Sequence, residues 1–133
     1  MVTIIKRRDL ADDRVYEPPA VIGFGINSDT IKNPRITVGH FVMPPGGKSQ
    51  RHYHANCDAM GYLIRGKVRE FVGPVGNIKP VDVEAGDFYF FPKGEIHKTI
   101  NLSKTEPVEV IFIYPGVNNK EEAGTVFLEP PEE

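Results

Sequence analysis

The chain has 133 residues, 40% of them hydrophobic and 26% charged, enough apolar material for one packed domain and too much for a disordered segment. Its formal net charge of -2 provides no basic field to attract nucleic acid or an anionic membrane, and no apolar run nears the ~20 residues of a membrane helix. A single cysteine, Cys57, has no partner for an internal disulfide. The opening "MVTIIKRRDLADD" places its charges after its apolar residues, the reverse of a secretory leader. The protein is therefore expected to be soluble and cytoplasmic, with neither nucleic acid nor membrane as partner.

Thirteen Gly and twelve Pro punctuate short β-prone runs. Strands are predicted at 2–6, 21–26, 35–43, 51–54, 59–64, 68–72, 81–84, 87–91, 97–101 and 108–114, with turns at "PPGG", "RGK", "GPVGN", "EAGD" and "PKGE". Runs this short and even imply an all-β sandwich or barrel. The one helix candidate, 118–123, carries no apolar stripe. The core barrel is expected at about 35–115 within one domain spanning 1–133. The terminal strands, 2–6 and "GTVFLE", are expected at its edges, where exchange between two copies would give a homodimer.

Side chains at i and i+2 of a strand share a face, so His52 and His54 can direct both rings at one point. His97 follows the apolar run to Phe91 and the Pro92–Gly94 reversal, which can bring it back opposite the pair. Three imidazoles suit Zn, Fe, Mn, Cu or Ni, and three protein ligands leave positions open for substrate. On spacing alone, however, half-exposed polar strand histidines are the commoner reading.

The frame around the histidines resembles the paired motifs of the cupin superfamily, G-x(5)-H-x-H-x(3,4)-E-x(6)-G and G-x(5)-P-x-G-x(2)-H-x(3)-N. The second is matched at Gly86, Pro92, Gly94, His97 and Asn101; the first is matched at Gly46, His52, His54 and Gly66. The resemblance implies a single-domain cupin jelly-roll β-barrel. It assigns His52, His54 and His97 as ligands of one divalent transition metal, Fe first and Mn, Ni, Zn or Cu as alternatives, with Asn101 in a supporting role.

The family glutamate falls at Ala59. Asp58 next door can replace it only if the backbone there is irregular, because one residue of slip on a strand turns a side chain to the other face. Three neutral imidazoles would leave the ion's charge uncompensated and favour an anionic ligand. Ala59, Gly61 and Leu63 are expected to face inward and leave space beside the ion. Tyr89, Phe91 and Phe112 are candidate pocket walls, and Arg51, with Lys48 and Lys98, a candidate for steering an anion. His40 becomes a candidate general acid/base if Ile36, Val38, His40 and Val42 line the barrel. Cys57 is expected to be a buried spectator thiol.

The function expected is a metal-dependent enzyme acting on a small anionic organic molecule, with a non-haem Fe(II) dioxygenase as the leading case. The alternatives are a non-oxidative lyase, decarboxylase or isomerase, and a non-catalytic metabolite- or sugar-binding cupin.

Overall fold

The computed structural model describes residues 1–131. Ten strands follow a short 3-10 turn at Arg7–Asp9: β1 Val21–Ile26, β2 Ile36–Met43, β3 His52–His54, β4 Ala59–Arg65, β5 Lys67–Val72, β6 Lys79–Glu84, β7 Phe88–Phe91, β8 His97–Asn101, β9 Val108–Pro115 and β10 Thr125–Phe127. They form two five-stranded antiparallel sheets, ordered β1-β2-β9-β4-β7 and β10-β3-β8-β5-β6. Among the described residues, no helix is long and apolar enough to cross a membrane.

Alternation fixes which side of each strand meets the core. In β2, Thr37, Gly39, Phe41 and Met43 are buried, and in β9 Val108, Val110, Phe112 and Tyr114 are. The two strands pair in unbroken register from Ile36↔Pro115 to Met43↔Val108, so their inner faces line up. Leu63 from β4 and Val68 from β5 close the interior from the two sheets. Gly66, at φ +88, makes the tight β4–β5 reversal, a conformation that costs glycine nothing.

Gly39 has a different role. A Cβ there would lie 2.3 Å from the Phe112 ring, so its missing side chain is the space that lets Phe112 lie across the barrel. Gly39→Ala is expected to cost about 1–3 kcal/mol by forcing that ring aside. A urea denaturation midpoint equal to that of the parent chain would contradict this packing.

Several expectations change. The predicted strand at 2–6 does not form; Val2 and Ile4 are exposed and find no sheet edge. The predicted helix at 118–123 is a series of turns. "GTVFLE" does contribute a strand, β10, which pairs with β3 of its own chain. The face of β2 bearing Ile36, Val38, His40 and Val42 is the outer one, because the opposite face holds Gly39 against Phe112.

Candidate metal centre

The three motif histidines meet because β3 lies between β10 and β8. Both His52 and His54 point to the buried side of β3, and His52 is directly opposite His97 across the β3–β8 pairing. Each ring offers one nitrogen, and these three atoms lie within 4.8 Å of one another. Ring centroids are 4.3 Å apart for His52–His97, 5.1 Å for His52–His54 and 5.5 Å for His54–His97.

Each ring is held from behind. His52 Nδ1 lies 2.7 Å from the Gln50 carbonyl oxygen and His97 Nδ1 lies 3.0 Å from that of Glu95. Donation from Nδ1 to a carbonyl leaves Nε2 as the atom free for an ion. His54 Nδ1 meets Thr125 Oγ1 at 2.8 Å, and the same hydroxyl is 2.5 Å from Tyr16 Oη. Phe91 stacks on His97 at 4.1 Å and 12°, locking the ring plane. Thr125→Val, which keeps the shape and removes the oxygen, is expected to weaken metal binding by about 10–100-fold. Titration against a competing chelator reads this, and an unchanged affinity would remove Thr125 from the account.

The donor set fits a transition metal. His52 Nε2 is buried and has no hydrogen-bond partner among the described residues. Glu17 Oε1 lies 3.0 Å away, so this nitrogen faces that carboxylate when the ring is protonated and is open to an ion when the ring is neutral. Burial, with His52 close by, pushes His54 down to about 4 and His97 well below the usual imidazole value, so both are neutral donors at neutral pH. His52 differs. Burial pulls it down, but the Glu17 carboxylate outweighs burial and leaves it above its ordinary value. A bound cation would displace that proton.

Two carboxylates missed in the sequence face this region. Glu17 precedes β1, is nearly buried, and places Oε1 3.0 Å from His52 Nε2, too oblique for a hydrogen bond. Burial would raise its carboxyl, yet the His52 and His54 imidazoles hold it below the usual range. Glu70, buried on β5, accepts from Thr99 Oγ1 at 2.8 and 2.9 Å. Burial lifts its pKa from 4.5 to about 7, against the pull of Thr99 and His52. Glu70 leaves a trace in the sequence, as a carboxylate in phase with Val68 and Val72 on one strand face. Glu17 leaves none, because nothing in "YEPPA" announces a contact with β3.

Histidines and carboxylates share a cavity of about 50 Å³, room for a few water molecules. Ala59, Leu63, Tyr89, Phe91 and Phe112 line it. Gly61 is buried behind it, and a Cβ there would sit 2.6 Å from the Tyr89 hydroxyl. The other candidates lie elsewhere. Asp58 turns away to accept the Lys93 amide at 2.8 Å, so it does not stand in for a glutamate at Ala59. His40 is on the outer face, with Nε2 2.6 Å from Glu109 and Nδ1 accepting from Arg7 at 2.9 Å; it does not reach the cavity. Arg51 donates to the Gly73 carbonyl at 3.4 Å and does not line the cavity. Asn101 is structural, donating to the Glu106 carbonyl at 2.8 Å and accepting from the Ser103 amide at 3.0 Å. Cys57 is a buried free thiol, pushed up to about 11 by burial and by Asp58, so it is inert at neutral pH.

Two antiparallel sheets closed over three convergent imidazoles define a small metal-binding β-barrel. The chain belongs to the cupin domain family, whose model matches residues 39–114. Among curated proteins it is 29% identical over 99 residues to germin-like protein 3-5 of Oryza sativa subsp. japonica, covering 70% of this chain and 40% of that one. It is 28% identical over 99 residues to oxalate oxidase GF-3.8 of Triticum aestivum, with 70% and 41% coverage. The chain thus spans about two fifths of the length of these relatives. Among solved structures, the polyketide cyclase RemF from Streptomyces resistomycificus superposes with a TM-score of 0.76 at 17% identity, over 99% of this chain and 89% of that one. Oxalate decarboxylase from Bacillus subtilis superposes with a TM-score of 0.74 at 19% identity, over 96% and 33%. At those identities the superpositions establish the fold.

Proposed function

We propose that this cupin is a mononuclear metal-dependent enzyme acting on a small anionic organic molecule, with Glu70 carrying a proton to or from it. The observation behind this reading is a buried carboxyl in the same cavity as three convergent imidazoles, where burial raises its pKa to about 7. A divalent metal on His52, His54 and His97 would supply Lewis acidity toward a carboxylate or carbonyl oxygen; imidazole donors suit Fe, Mn, Ni, Zn or Cu.

The chain's own residues supply the rest. Thr99 anchors the Glu70 carboxyl by donating to it between its two oxygens. A group that titrates near the working pH is the effective general acid or base. The apolar walls at Leu63, Phe91 and Phe112 exclude water, and the narrow cavity restricts the substrate to a few heavy atoms. Relatives named as oxalate oxidases support a small acid as the substrate class.

Proton transfer favours a decarboxylase, isomerase or cyclase type of reaction. The second reading, an Fe(II) dioxygenase, is supported by the three-histidine set, which leaves positions open for substrate and O₂. Small 2-oxo acids, dicarboxylic acids and 1,3-dicarbonyls incubated anaerobically in D₂O separate the two. Metal-dependent deuterium incorporation or CO₂ release, read by NMR, is expected. Turnover only with stoichiometric O₂ uptake would transfer the assignment to the dioxygenase, and no turnover in either format would leave a binding protein.

A further inference from the structure

The motif position that would supply a carboxylate holds Ala59, which is buried in the cavity wall, and Asp58 is committed to Lys93. A divalent ion on three neutral imidazoles would therefore be left without a charged partner from β3, β4 or β8. We propose that Glu17, delivered from the N-terminal segment, is the metal site's carboxylate ligand and takes over the charge that Ala59 cannot provide. This inference rests on the metal reading given above.

Three observations carry it. First, Glu17 Oε1 stands 3.0 Å from His52 Nε2, a separation that two ligand atoms of one ion also have. It lies at the His52 edge of the cluster, outside the set of three mutually close nitrogens, so ligation requires the carboxylate to move inward toward the other two rings. Second, the carboxylate is buried and lines the histidine cavity, where a negative charge must face a cation: His52 when that ring is protonated, and a metal ion once the proton is displaced.

Third, the segment is built to hold it there. The Asp13 backbone bridges Ile22 of β1 through bonds of 2.7 and 2.9 Å, and the Asp13 carboxylate pairs with Lys120. The Tyr16 hydroxyl reaches Thr125, the residue that also orients His54. The Ala20 amide returns to the Glu17 carbonyl at 2.8 Å, closing the turn into β1. One hydroxyl thus links the segment to a metal-ligating ring one residue before the proposed ligand. On this account the metal also fastens the N-terminal segment over the barrel, so binding and local order are coupled.

The test uses the full chain freed of metal and titrated with Co²⁺ or Mn²⁺, comparing wild type, Glu17→Gln and Glu17→Asp. Glu17→Gln is expected to weaken Co²⁺ binding by more than the ~100-fold upper range of an outer hydrogen-bonding partner, and to alter the visible spectrum of the bound Co²⁺. Glu17→Asp, which keeps the charge, is expected to recover part of both. Hydrogen exchange at the Tyr16 amide, which donates to Asp13 Oδ1 at 2.9 Å, provides a reading that needs no variant. Metal is expected to slow this exchange in wild type, and to have no such effect in Glu17→Gln.

Equal Co²⁺ affinity and spectrum in wild type and Glu17→Gln would overturn the role of Glu17 while leaving the three-histidine metal site standing. Exchange at Tyr16 indifferent to metal in wild type would overturn it as well, even if Glu17→Gln failed to fold. Wild type that binds neither ion would remove the metal reading and this inference together.

Discussion

Glu70→Gln is expected to lower turnover by about 10²–10⁴-fold while leaving metal content unchanged. The amide has the shape of the carboxyl and can still accept from Thr99 Oγ1, so the cavity wall is preserved. What it lacks is an exchangeable acid proton at the point facing the histidines. A purely structural Glu70 would give a variant with near-normal turnover, and that result would end its role as proton carrier.

The same substitution has a second signature, in stability. The Glu70 pKa is raised from 4.5 to about 7 by burial, so between those values the folded chain holds a proton that the unfolded chain releases. The stability from this group is full below the unfolded value of 4.5 and is lost as pH rises through about 7. The full loss is about 3 kcal/mol, from roughly 1.4 kcal/mol per pKa unit. Glutamine never pays this charging cost. Glu70→Gln is therefore expected to match wild type near ~pH 4 and to exceed its denaturation midpoint at about pH 9. Parallel stability profiles for the two proteins across that range would mean that Glu70 is not held neutral by burial.

The second large effect separates two histidines with the same assigned role. His52→Ala and His97→Ala are both expected to weaken metal binding by more than about 100-fold, since each removes a ligand rather than a supporting contact. In the metal-free chain they should diverge. His97 gives up burial and its stack on Phe91, a packing loss of about 2–3 kcal/mol. His52 is the counter-charge of Glu17, and its removal leaves a buried carboxylate unpaired, at a cost of about 3–5 kcal/mol. Urea unfolding of the two metal-free variants at neutral pH reads the difference. Equal losses would show that Glu17 and His52 are not energetically coupled.

The convergence of the three histidines was legible only in part from local geometry: an H-x-H on a strand puts two rings on one face, whereas His97 meets His52 across β3 and β8, strands distant in sequence, and was placed there by the motif resemblance. The inward series Ala59, Gly61 and Leu63 was legible, since period-2 alternation carries over directly into burial. The phase of β2 was not, because Ile36, Val38, His40 and Val42 look as apolar as the face that was chosen. What decides between them is Gly39 against Phe112, a contact between strands distant in sequence. The 2–6 run has strand composition, but a strand needs a neighbour, and none is in reach. Glu17 escaped notice for a similar reason: its significance lies in where the N-terminal segment crosses the barrel, which no local pattern encodes.

Whether His52, His54 and His97 hold a metal ion is read by elemental analysis of the protein purified anaerobically without chelator and, in parallel, stripped and reconstituted with Fe²⁺, Mn²⁺, Co²⁺, Ni²⁺ or Zn²⁺. Close to one transition-metal ion per chain, absent from His97→Ala prepared identically, is the result expected. Wild type that remains substoichiometric with every ion after reconstitution, or His97→Ala that retains a full complement, would mean that the three histidines do not hold an ion.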